Sequence, residues 1–116
     1  MVKKDLSKKE SAALSKVYFQ VETQLGFPVK TTESYWKIIT KVKHPSIAKK
    51  EKEVKKCLSS PDEIRISKKD KKVYLFYHRL KSKYICVVVK YMKKESFIVT
   101  SYITDKIKEG ELKWKK

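Results

Sequence analysis

The chain is poor in glycine, histidine, arginine and cysteine, and each scarcity removes a class of function. Only Gly26 and Gly110 occur in 116 residues. No glycine-rich loop can therefore bring backbone amides around a phosphate, and a nucleotide cofactor has no visible cradle. The cysteines are Cys57 and Cys86 alone, and the histidines His44 and His78 alone. None stands at the spacing of a metal site, so neither a metal nor a cofactor is expected. Both cysteines fall in what read as a helix and a buried strand. That suits free thiols in a reducing compartment better than a disulfide framework, and points to the cytoplasm. No stretch approaches the run of about eighteen apolar residues that a membrane span needs. The first residues, MVKKDLSKKESAALSK, carry no continuous apolar segment, so no export signal is expected.

What the chain has in excess is positive charge. Lysine and arginine number 30 against 13 acidic residues, a formal net charge of +17. A cationic surface of that size attracts polyanions and releases counterions when it binds phosphates, which makes nucleic acid the expected partner. Only Arg65 and Arg79 are arginine, so lysine-biased composition or thermophilic surface enrichment is the competing explanation. With 41% apolar residues the chain can bury the core of one domain, taken as residues 1–116.

The segment Ser7 to Glu10 has the form of a capping box and predicts a short helix over about 8–15. VYFQVET, Val17 to Thr23, alternates and reads as a strand. The turn signals Gly26 and Pro28 then lead into VKTT, consistent with a hairpin or with a helix that breaks. Thr31 or Thr32 can cap a second helix, in which Tyr35, Trp36, Ile38, Ile39 and Val42 share one face. That helix ends at His44-Pro45, because a residue before proline is pushed out of the α region. A third helix is expected from Ser46 to Ser59. From Glu63 onward the period changes to two, giving strands at 64–67, 73–80, 84–92 and 96–103, with the third central because it is nearly all apolar. Gly110 marks a turn before a brief edge strand that tucks in Trp114. The expected fold class is α+β, with N-terminal helices packed on a four-stranded antiparallel meander sheet.

His44, at a helix terminus, has its charged form favoured by the negative end of the helix, and a capping role alone is the plainer alternative. His78 lies in a strand, where a hydrogen bond to a neighbour explains it equally well. If the hairpins are simple, His78, Thr100 and Tyr102 share one face of the sheet. Val73, Leu75, Cys86, Val88, Phe97 and Val99 then form the face that receives the helices. A one-residue bulge would exchange Thr100 and Tyr102 for Ser101.

The succession YWKIITKVKHP (Tyr35 to Pro45), SSPDEIRISKKDKKVYLFYHR (Ser59 to Arg79), YICVVVKY (Tyr84 to Tyr91) and FIVTSYITDKIKEGELKW (Phe97 to Trp114) resembles a family of small phage, plasmid and prokaryotic domains. These are grouped with the barnase, EndoU, colicin and RelE-like nucleases. The likeness covers residues 34–114 and leaves 1–33 as an N-terminal extension. It rests on Trp36, His44-Pro45, the Pro61-Asp62-Glu63-Ile64 turn, Tyr77-His78-Arg79, Thr100 with Tyr102, and Asp105-Lys106-Ile107. The chain departs from the family at Ser46, where a glutamate is usual, and at Phe76, where a tyrosine is usual.

The resemblance implies a metal-independent endoribonuclease acting on RNA, as the toxin of a toxin-antitoxin pair or of a mobile element, with an antitoxin protein as a candidate partner. Cleavage by the 2′-hydroxyl needs a base, an acid, and donors or cations around the transition-state phosphate. On this reading His44, and after it His78, serves as acid or base. Thr100 and Tyr102 donate to the phosphate, and Arg79, Lys83 and Lys90 bind the nucleic acid. A noncatalytic nucleic-acid-binding module on the same fold is the alternative. An adaptor between proteins is a third reading, and would need an exposed apolar patch.

Overall fold

The computed structural model describes residues 16–107 and 109–116; the helix expected over 8–15 lies outside them. Seven strands form one mixed sheet: β1 Val17–Glu22, β2 Pro28–Thr32, β3 Glu63–Ile66, β4 Val73–Leu80, β5 Lys83–Lys90, β6 Phe97–Thr104 and β7 Glu111–Lys115. Their spatial order is β1-β2-β6-β5-β4-β3-β7. Two short helices accompany them, α1 Glu33–Lys37, which runs on as π-helical turns over Ile38–Lys43, and α2 Glu51–Ser59. The fold expected from the sequence, helices on a four-stranded antiparallel meander, is therefore corrected. Strands β3 to β6 do follow one another antiparallel, but they form the middle of a wider, mostly β structure. The β1-β2 hairpin joins it through a parallel pairing of Lys30 with Phe97, and β7 pairs with β3 at the opposite edge. Period-two patterning identifies strands, but it does not count the partners that sequence-distant segments supply.

Local chemistry accounts for the elements. Thr32 caps α1, its Oγ1 accepting a hydrogen bond from the Tyr35 amide at 3.1 Å. In α2, Val54, Cys57 and Leu58 at steps of three and four are fully buried, and their face lies against β5, β4 and β1. The long apolar strand β5 sits fourth of seven in the sheet, covered on both faces. No described helix is long and apolar enough to cross a membrane.

The second hairpin does not have the simple register. The pairing shifts between Val88 and Val89: Val88 faces Thr100 while Val89 faces Ile98, so Val99 is the extra residue of a bulge. Val87 consequently faces Ser101 and Ile85 faces Ile103, where unbulged pairing would bring Thr100 and Tyr102. The helices also cover the face opposite to the expected one. Phe76, Ile85, Val87, Val89 and Ile98 meet Ile39, Val54 and Leu58 in the main core. Leu75, Tyr77 and Cys86, with Val88 and Tyr102 packed against them, form a second cluster on the other face. That cluster is roofed by the connection from β6 to β7, which must cross β5, β4 and β3 to reach the far edge. Ile107 packs into the cluster from this crossover.

Candidate active site

The route to His44 begins at the bulge. The Val99 carbonyl accepts a hydrogen bond from the Tyr35 hydroxyl at 2.8 Å and from Lys43 Nζ at 3.2 Å. These bonds tie α1 and its π extension to the side of β6. The His44 amide donates to the Ile39 carbonyl, five residues back, at 2.8 Å, closing a wide turn of the kind that is rare and often found at functional sites. His44 then leaves the helical region (φ −144°, ψ 83°) ahead of Pro45. Its ring lies 5.6 Å from that of Tyr102, tilted by 46°. The imidazole is half-buried, so it keeps access to solvent.

Tyr102 borders a small cleft of about 170 Å³ shared with Tyr77, Thr104, Lys106 and Glu109. Beneath it Tyr77, Cys86 and Tyr102 make a hydrogen-bonded group of two phenols and a thiol. Burial pushes the Cys86 thiol up to about 12. Burial and the neighbouring Cys86 also drive both phenols well above their ordinary range. The phenols therefore stay protonated and act as neutral hydrogen-bond donors. Glu109 disfavours ionisation of all three groups by its negative charge, which places its carboxylate within their electrostatic reach.

Of the residues named from the sequence, the structure brings His44 and Tyr102 together. Thr100 shares the Tyr102 face, but its Oγ1 is buried without a hydrogen-bond partner among the described residues. That hydroxyl does not open onto the cleft. His78 lies on the helix-covered side, and its parity with Tyr102 is reversed by the bulge. Its Nδ1 is 3.4 Å from Asp62 Oδ2 with the side chain 17% exposed. The same carboxylate accepts the Arg79 amide at 2.6 Å. Asp62 thus staples the entry of β3 to the end of β4, and His78 lies beside that staple with its Nδ1 buried and without a hydrogen-bond partner among the described residues. The cations do not converge on the cleft. Lys83 pairs with Asp105 at 2.7 Å and Lys90 with Asp70 at 2.7 Å, at opposite ends of the eight-residue β5. At about 3.3 Å per residue the two lysines stand about 23 Å apart. Arg79 lies over the Tyr84 ring at 5.5 Å, its Nε donating to the Lys81 carbonyl at 2.7 Å.

Sequence reasoning missed Glu109. Its signal was weak: one of three acids in a lysine-rich tail, next to the turn glycine of a connection whose path over the sheet no local pattern records. Among the described residues no three His, Cys, Asp or Glu side chains gather as metal ligands. No family model, curated protein or solved structure matches this chain.

Proposed function

We propose that the chain is a metal-independent endoribonuclease-like protein acting on RNA in the cytoplasm, with His44, Tyr102 and Glu109 as its working groups. The observation that carries this reading is the His44 imidazole held against Tyr102 at 5.6 Å, beside a cleft that Glu109 also lines. An imidazole against Tyr102 at the edge of the cleft and a carboxylate on its lining would supply the two proton-transfer groups that attack by a 2′-hydroxyl requires. One accepts the hydroxyl proton and the other donates to the departing 5′-oxygen. The protonated Tyr102 phenol would turn its single O–H from the Tyr77–Cys86 group toward the phosphoryl oxygens, and Lys106, at the same cleft, adds a positive charge. All of this chemistry comes from protein side chains, so it would persist in chelator. The role of toxin in a toxin-antitoxin pair or mobile element follows only from the family resemblance.

The second reading, a noncatalytic RNA-binding module, draws on the buried Thr100 hydroxyl and on the position of His78 outside the cleft, which leave a single histidine there. Cleavage of end-labelled RNA in chelator separates the two. His44→Ala is expected to lower the rate by roughly 10² to 10⁴ with the thermal melt and RNA affinity nearly unchanged. Glu109→Gln is expected to slow cleavage if the carboxylate is the base. Tyr102→Phe, which keeps the ring and loses one donor, is expected to cost less than either. A His44→Ala protein that cleaves at the wild-type rate, or a wild type inert toward RNA that it binds, would establish the binding module instead.

A further inference from the structure

A larger cavity lies outside this cleft, at the end of the sheet where β4 turns into β5. It measures about 480 Å³ and is lined by Lys50, Arg79, Lys81 and Lys83 over an apolar floor of Leu80 and Ile103. Glu53 is the one acidic group on its wall. The cations there are unequally occupied. Lys83 is held by Asp105 at 2.7 Å, whereas Lys50 and Lys81 carry no ion pair among the described residues. The Arg79 guanidinium donates its Nε to the Lys81 carbonyl at 2.7 Å and lies over the Tyr84 ring at 5.5 Å, and it carries no ion pair among the described residues. Lys81 is set in the turn by a left-handed backbone, φ 53°.

We infer that this cavity is a binding site for a phosphorylated nucleoside, the phosphate held by Arg79, Lys81 and Lys50 and the base or sugar lying on Leu80 and Ile103. The chemistry is that of a small-ligand pocket: a volume within the usual range of a few hundred to about 1,000 Å³, an apolar floor, and a few convergent polar groups. Unpaired cations crowded in one concavity repel one another, and an anion relieves that repulsion. Arginine offers a planar fork that matches phosphate oxygens in pairs. The phosphate can belong to a free nucleotide or to a residue of an RNA strand. The second source is open to a strand that passes around the end of the sheet, because Ile103 of this cavity and Tyr102 of the cleft are consecutive in β6 but lie on opposite faces, and the segment from His44 to Lys50 joins the two sites. In that form the inference rests on the proposed ribonuclease reading and supplies it with a second strand contact.

The test uses the full chain with adenosine 5′-monophosphate and with a short single-stranded RNA, followed by amide chemical shifts and by calorimetry. Lys81→Asn removes the charge with a residue that tolerates the left-handed turn; Arg79→Gln and Lys50→Gln serve as independent variants. Binding of the mononucleotide, with shifts centred on the turn and affinity reduced about tenfold or more in Arg79→Gln, supports a free-nucleotide site. Binding of the RNA alone, weakened by the same variants, supports a strand subsite and remains readable even if the protein cleaves nothing. Absence of turn shifts with both ligands, or unchanged affinity in all three variants, overturns the inference.

Discussion

Cys86 lies beneath the phenols of Tyr77 and Tyr102, and the protonation of these groups links the site to stability. Burial holds the protons of Cys57, Cys86, Tyr77 and Tyr102 to higher pH than the unfolded chain would. At neutral pH both states are protonated, so this contribution to stability is fully present. As pH rises past the ordinary thiol value the unfolded chain loses protons first, and stability falls. For Cys86 the window runs from 9.0 to about 12, and each such group adds a slope approaching about 1.4 kcal/mol per pH unit. Urea midpoints measured upward from neutral pH are expected to drop above about pH 9, and to drop less steeply in Cys86→Ala. A midpoint that stayed level into the alkaline range would show that these groups are open to water. At this scale His44 and Tyr102 were legible from the sequence, because a histidine before proline and a hydroxyl-rich strand both depart from the lysine background. Glu109 was not, since its place depends on a crossover. His78 was misplaced because the bulge at Val99 moved Tyr102 to the other face, and because alternation does not say which face the helices cover.

At the scale of elements, one inserted residue changes the meaning of a strand. Val99 bulges out of β6, its carbonyl receives Tyr35 and Lys43, and the sheet face of Thr100 and Tyr102 is exchanged with that of Ser101. The sequence shows that β6 exists but holds no sign of the bulge, since valine is as welcome in a regular strand as in a bulged one. The crossover that roofs Tyr77 and Cys86 offers a sharper test. Gly26 and Gly110 share φ +87°, a conformation that costs a side-chain-bearing residue about 1–2 kcal/mol. At Gly26 a Cβ meets nothing within 4 Å, whereas at Gly110 it would lie 2.8 Å from the Ile66 carbonyl oxygen and 3.0 Å from Arg65 Cβ. Gly26→Ala is therefore expected to cost about 1 kcal/mol, and Gly110→Ala about 2–4 kcal/mol once overlap is added to backbone strain. If the chain cleaves RNA as proposed, Gly110→Ala is also expected to depress cleavage because Glu109 precedes it, while Gly26→Ala leaves the rate alone. Equal losses of stability in the two variants would mean that the crossover is not pressed onto β3.

For the whole molecule the governing quantity is the charge of +17. Part of the lysine complement is committed internally, as Lys30 to Glu95, Lys55 to Glu51 and Lys90 to Asp70. These pairs are at least partly exposed, so each adds little to stability. Most of the remaining lysines have no acidic residue to match them, since bases outnumber acids 30 to 13. Such an excess disfavours the compact state through self-repulsion and favours any partner carrying dense negative charge. If RNA is that partner and about six phosphates are neutralised, log affinity against log salt is expected to fall with a slope near −4 for a single strand. Fluorescence anisotropy with a labelled RNA at several salt concentrations measures it. Lys81→Asn is expected to reduce the slope by about 0.7 if its ammonium meets a phosphate, whereas neutralising Lys90, already held by Asp70, is expected to change it less. A slope close to zero would assign the lysines to surface composition, and the RNA readings of both the cleft and the basic cavity would lose their electrostatic support together.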